Sequence, residues 1–263
     1  MRLQIIFKPE KNIFLIPTNY NYELSSIIYK IMSTSGPNFT NWLHSRGFTL
    51  EGAKRFKFFN FSRLFFQEKD VQGEVIKAKG NFKLIFSSPI DESVLTTFIS
   101  GMMEFNKEIY LGNRDVGTKV RVHSINILPY PDFQYKSKYI MLSPTVATIQ
   151  DENRKIVFLE PNNERTVDAL RKNLVNKYET LFMEKCPYNI DFSFDENYIN
   201  ASFEKNLIKK VSIKASLDKT ILIRGFMLPI ELKSDVKIQK LAYETGIGEK
   251  NSLGFGMLEI AKK

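Results

Sequence analysis

Residues 54–66, KRFKFFNFSRLFF, interleave phenylalanine with lysine and arginine, a pattern suited to exposed strands with one buried face. Residues 81–88, NFKLIFSS, read as the next strand. Upstream, 2–7 (RLQIIF) reads as a strand, and 21–33 (NYELSSIIYKIMS) sets Leu24, Ile27, Ile28 and Ile31 on one helical face. Gly36 and Pro37 break the chain, and 38–44 is expected to form a short second helix ending near Gly47. Downstream, Pro89 opens a helix through about Asn106, and 118–128 (TKVRVHSINIL) alternates as a strand. The order is β-α-β-β-α-β, a ferredoxin-like unit.

Pro129 and Pro131 mark a linker, after which the series begins again. YIMLSP (139–144) and KIVFLE (155–160) look like strands, and 163–183 is the strongest amphipathic helix. Strands follow near 189–194, 209–216 and 221–231, then a short helix over 234–244 with Ser234 or Asp235 to cap it. A glycine-rich stretch leads into the final strand MLEIAKK. The expected fold is α+β, two tandem ferredoxin-like domains, 1–130 and 131–263, the second carrying the C-terminal glycine-rich loop.

The 263 residues are 43% hydrophobic, ample for packed cores, which excludes a disordered basic tail. A net charge of +9 favours a polyanionic partner, most often nucleic acid. Cys186 is the one cysteine, so no intrachain disulfide forms, and with His44 and His123 as the two histidines a Cys- or His-rich zinc site is out of reach. A carboxylate-held Mg²⁺ is not excluded by that count. The first residues meet charge again at Lys8 and lack a signal peptide's apolar core, and no run of about 18 apolar residues spans a membrane. A soluble, cytoplasmic protein without a membrane partner is expected.

Residues 246–256 read Gly246-Ile-Gly248-Glu-Lys-Asn-Ser-Leu-Gly254-Phe255-Gly256. No Gly-Lys-Ser/Thr closes them, so they are not a Walker A loop. They follow a helix and enter a strand, the reverse of a dinucleotide fingerprint. Glycines here permit positive φ and close approach, so the amides could touch a phosphate backbone; the alternative is a long loop turning sharply before an edge strand.

With two ferredoxin-like units ahead of Gly-x-Gly and Gly-Phe-Gly, the chain resembles the CRISPR repeat-processing endoribonucleases, within the superfamily of repeat-associated RNA-binding proteins. The resemblance spans the chain in length and element order, but its specific signature is confined to 246–256. It implies that the loop (Gly246, Gly248, Lys250, Gly254, Gly256) helps position RNA. It also implies cleavage without metal or cofactor, leaving a 2′,3′-cyclic phosphate and a 5′-hydroxyl. Several members carry Tyr, His and Lys near the start of the first domain, which corresponds here to Tyr29, His44 and Lys54. The implied partner is CRISPR repeat RNA, with effector-complex proteins as further partners and a monomer or homodimer as the assembly. The alternative is a non-catalytic repeat-RNA binder or effector-complex subunit.

The chemistry suits those residue types. An imidazole, with an ordinary pKa of about 6.5, serves as general base or acid, whereas His123 in a strand-like alternation reads as structural. The competing role for His44 is a helix-terminal charge beside Trp42 and Leu43. Lys54 supplies positive charge to the phosphorane, a role Arg55 or Lys57 can also fill. If 54–60 is a strand, Lys54 and Phe56 share one face, with Arg55 and Lys57 on the other. Tyr29, protonated at neutral pH with an ordinary pKa of about 10, orients the phosphate or donates to the leaving oxygen, or else only covers the core edge. Arg46, Lys54, Arg55, Lys57 and Arg63 against Glu51 alone give 46–63 a net charge of +4, the proposed RNA track. Phe56, Phe58, Phe59 and Phe61 either stack bases there or form the strand's core face.

Overall fold

The computed structural model describes residues 1–34, 56–89, 99–103, 109–113, 115–201, 207–214 and 220–261. The expected helix over 38–44, and with it His44, Arg46, Lys54 and Arg55, lies outside the described residues.

The first half begins with β1 (Arg2–Pro9), β2 (Ile13–Pro17) and α1 (Asn21–Thr34). It continues through β3 (Asn60–Phe61), β4 (Phe65–Gln72) and β5 (Val75–Ser87) to β6 (Ile109–Gly112) and β7 (Gly117–Leu128). Between β5 and β6, residues 99–103 are helical. β1 lies between β5 and β7 in antiparallel register, Phe7 opposite Phe82 and Gln4 opposite Asn126. β4 borders the far side of β5, so the strands run β4-β5-β1-β7, the order of a βαββαβ unit. Alternation in β1 turns Leu3, Ile5 and Phe7 inward, where Leu24, Ile28 and Ile31 of α1 meet them. Each such buried side chain contributes roughly 1.5–3 kcal/mol.

The second half repeats the plan with two inserted hairpins. Its sheet is β8 (Lys136–Met141), β11 (Asp191–Phe194), β14 (Ile230–Lys233) and β15 (Leu258–Ile260), ordered β11-β14-β8-β15 and antiparallel throughout. Here α2 (Arg165–Phe182) and α4 (Val236–Thr245) are the crossover helices. The hairpin β9 (Thr148–Gln150) with β10 (Ile156–Phe158) precedes α2. After α3 (Glu196–Ala201), β12 (Ile208–Lys214) and β13 (Thr220–Phe226) form the other hairpin. Asp235 caps α4 by accepting from the Lys237 amide at 2.9 Å. Among the described residues no helix is long and apolar enough to cross a membrane.

The 54–66 expectation needs correction. Residues 57–59 form no strand, and the second strand of the first unit is β4, reached after the two-residue β3. The reason is burial from both sides: Phe58, Phe59, Asn60, Phe61 and Ser62 are consecutively buried, so no exposed face alternates with a core face. The short strands β2 and β6, and the separation of β13 from β14, also depart from the expected boundaries.

Candidate functional site

The glycine-rich stretch folds back on itself between α4 and β15. The Gly246 amide donates to Ala242 O, Gly254 to Asn251 O and Gly256 to Pro144 O, at 2.8–2.9 Å. Those three protons are spent inside the protein, which for these three amides favours the other expectation, a long loop turning sharply before the last strand. All four glycines, Gly246, Gly248, Gly254 and Gly256, are buried. Two show why no other residue fits. Gly256, at φ +75°, would bring a Cβ to 1.9 Å from Ile247 O, and Gly254, at φ +78°, to 2.3 Å from the Phe61 ring. The glycines therefore shape the loop, and residues 249–253, Lys250 among them, stay half-buried at its tip.

Lys177 of α2, 1% exposed, fixes that shape from beneath. Its ammonium donates to Gly246 O (2.7 Å), Gly248 O (3.2 Å) and Asn251 Oδ1 (2.8 Å). The Asn251 amide nitrogen donates in turn to Ile247 O and Phe255 O. Burial pulls the Lys177 proton affinity down to about 7, opposed by the negative charge of Glu249. Sequence reasoning missed this residue, although a signal existed: Lys177 shares the buried helix stripe of Leu170, Leu174 and Tyr178.

The tip meets the first unit at α1. Asn21 Nδ2 donates to Leu253 O (2.9 Å) and Ser25 Oγ to Ser252 O (2.7 Å). Tyr29 follows Ser25 by four residues, on the same side of the helix. Its ring packs edge-on against Phe59 with centroids 5.3 Å apart, and the Lys57 ammonium sits 4.7 Å from its ring centre. Between Lys57 and the tip opens a cavity of about 400 Å³, its floor formed by Lys177 and Asn173. Lys57 and Lys250 thus line one cleft between the units, and Tyr29 stands behind Lys57 and Phe59. Arg63 is exposed, and its amide donates to Leu142 O (3.0 Å) where the two units touch. Phe58, Phe59 and Phe61 are buried, so they fill the core as one of the two expectations had it, while Phe56 stays half-buried and stacks on Phe58 at 5.7 Å. His123 lies on β7 as expected, yet its side chain is exposed rather than packed. Among the described residues no three of His, Cys, Asp and Glu converge to hold a metal ion.

Comparison with known proteins addresses both halves. Residues 128–260 match the family described as CRISPR associated protein Cas6, C-terminal, and residues 15–120 match CRISPR-associated protein Cas6, N-terminal. The chain is 29% identical to CRISPR-associated endoribonuclease Cas6 1 of Methanocaldococcus jannaschii, covering 98% of this chain and 92% of that protein. It is 26% identical to CRISPR-associated endoribonuclease Cas6 of Pyrococcus furiosus, over 99% of this chain and 90% of the relative. A solved structure described as CRISPR associated protein Cas6 superposes with a TM-score of 0.75 at 28% identity, covering 100% of this chain and 99% of that one. Family matches on both units, and relatives aligned over nearly their full lengths, lead to one conclusion: this chain belongs to the CRISPR-associated Cas6 family.

Proposed function

We propose that the protein is an endoribonuclease that cuts CRISPR repeat RNA in precursor transcripts without a metal ion. The unit of residues 1–130 carries the reacting groups, and the unit of 131–263 brings the glycine-rich loop against them. The observation that carries this reading is the cleft itself, where Lys57, beside the Tyr29 ring, lines a cavity with the loop tip in a chain whose relatives are named endoribonucleases.

His44 takes the 2′-hydroxyl proton, the O2′ attacks phosphorus, and the bond from phosphorus to the 5′-oxygen breaks. The products are a 2′,3′-cyclic phosphate and, once the departing oxygen has received a proton, a 5′-hydroxyl. Lys54 offsets charge on the phosphorane and Tyr29 orients the phosphate. Lys57, beside the Tyr29 ring, is the described cation best placed to share the charge-stabilising role. Arg46, Arg55, Arg63 and Lys250 extend the basic track along which the backbone lies.

Incubating the protein with repeat RNA in EDTA tests this. Cleavage with a cyclic-phosphate end, lost in His44→Ala and lost when deoxyribose replaces ribose upstream of the cut, is the expected result. Strict dependence on Mg²⁺ would overturn the mechanism. Tight binding with no product would establish the non-catalytic binder instead.

A further inference from the structure

Lys177 holds a position that the cleavage chemistry leaves unused. It is an ammonium in a buried helix stripe that also holds Leu170, Asn173, Leu174 and Tyr178, and its three hydrogen-bond acceptors, Gly246 O, Gly248 O and Asn251 Oδ1, are all uncharged. One turn earlier, Asn173 is 8% exposed, and its Oδ1 has no hydrogen-bond partner. Both line the cavity of about 400 Å³ beneath the loop tip. Among the described residues, the charged groups lining that cavity are Lys57 from the segment before β3, Glu249 and Lys250 from the loop, and Lys177 itself from α2; α4 contributes the uncharged Thr245. The Glu249 carboxylate accepts from Thr148 Oγ1 at 3.0 Å. Among the described residues three basic side chains thus stand against one carboxylate around a partly enclosed space, an arrangement that favours an anion.

Resting on the proposed function, we infer that Lys177 is a proton-linked positioning residue. Its ammonium clamps the loop tip, and an RNA phosphate entering the cavity draws a proton onto it.

The clamp depends on protonation by simple counting. An ammonium has three N–H bonds for three acceptors, whereas a neutral amine has two and leaves one acceptor bare. Burial makes the charged form costly, so in the free protein the group is close to half-neutral near pH 7. A phosphate lodged beside it adds an opposite charge where water screens little, and proton affinity rises. The phosphate supplies the negative charge and solvent supplies the proton; no covalent step is involved. By linkage, RNA affinity falls as pH rises through the free protein's value.

The test uses His44→Ala protein throughout, so that this imidazole takes up no proton. Repeat RNA from the source organism is titrated at fixed salt by fluorescence anisotropy, and by calorimetry in two buffers of different ionisation enthalpy. Affinity about five- to fifteenfold weaker at about pH 8.5 than at about pH 7, with net proton uptake per RNA bound, is expected. Adding Lys177→Met should flatten the pH profile and remove the uptake. Adding Lys177→Arg should flatten the profile while keeping affinity near that of the parent at about pH 7, because a guanidinium stays charged; this variant carries the test if the methionine variant does not fold. An unchanged slope and uptake in both variants would overturn the inference, as would a flat profile in the parent, with RNA binding itself left intact. A parent that binds no RNA at any pH would overturn the proposed function and this inference together.

Discussion

A buried lysine among carbonyl oxygens is a choice between two costs, and pH decides which dominates. Lys177 holds a proton less tightly in the folded chain, at about 7, than its ordinary 10.5. The unfolded chain therefore binds more protons between those values. From this group alone, stability is least below pH 7 and rises as pH climbs towards 10.5. Lys177→Met removes that slope and also strips Gly246 O, Gly248 O and Asn251 Oδ1 of their donor. A net loss of about 1–3 kcal/mol is expected at neutral pH, because orphaned buried acceptors keep their desolvation cost. Urea midpoints at pH 7 and pH 9 check both parts: the variant's deficit should widen at the higher pH. A constant deficit would mean that Lys177 does not titrate in this window.

At the scale of elements, much was legible and the failures have one cause. The strand β1, the helix α1 and the long helix α2 each keep one apolar face against the core of their own unit, so their periodicity survives in the sequence. The stretch from Phe58 to Ser62 is covered on one side by its own core and on the other by the glycine-rich loop nearly 200 residues later. Double coverage erases alternation, and no local pattern announces the second cover. The candidate site was legible to the same extent: Tyr29 and Lys57 can be read from the sequence, whereas Lys177 and Asn173 become meaningful only once α2 lies under the loop. Gly254→Ala tests how tightly the two covers fit. A methyl group would press on the Phe61 ring and on the Asn21 side chain, and φ +78° disfavours any side chain. A loss of about 2–4 kcal/mol and a weaker hold of RNA are expected by denaturation and anisotropy. Wild-type stability in this variant would show that the loop does not seat against α1 as described.

The whole molecule is two similar units whose cleft exists only while they stay in register, which makes their junction part of the site. Arg2 is the main tie: 1% exposed, its guanidinium donates to Tyr243 O (2.6 Å), Leu258 O (2.8 Å) and Glu259 Oε2 (3.0 Å), and it lies 3.3 Å from the Tyr243 ring centre. One side chain of β1 thereby holds both α4 and β15, the elements on either side of the glycine-rich loop. Arg2→Met keeps most of the volume, but it strips Leu258 O of its guanidinium donor, leaves Tyr243 O with only Ser87 Oγ at 3.5 Å, and leaves Glu259 without its cation. The cost should be about 3–5 kcal/mol, concentrated at the junction rather than within either core. Each unit has its own hydrophobic core, so the expected calorimetric signature is one cooperative transition becoming two. Repeat-RNA cleavage should fall at least tenfold at temperatures where both cores remain folded, because the loop tip no longer stands across the cavity from Lys57. A single transition with undiminished cleavage would show that the β12–β13 hairpin, whose Ser212 amide donates to Asn19 Oδ1 at 3.1 Å, and the loop contacts to α1 hold the units together without Arg2.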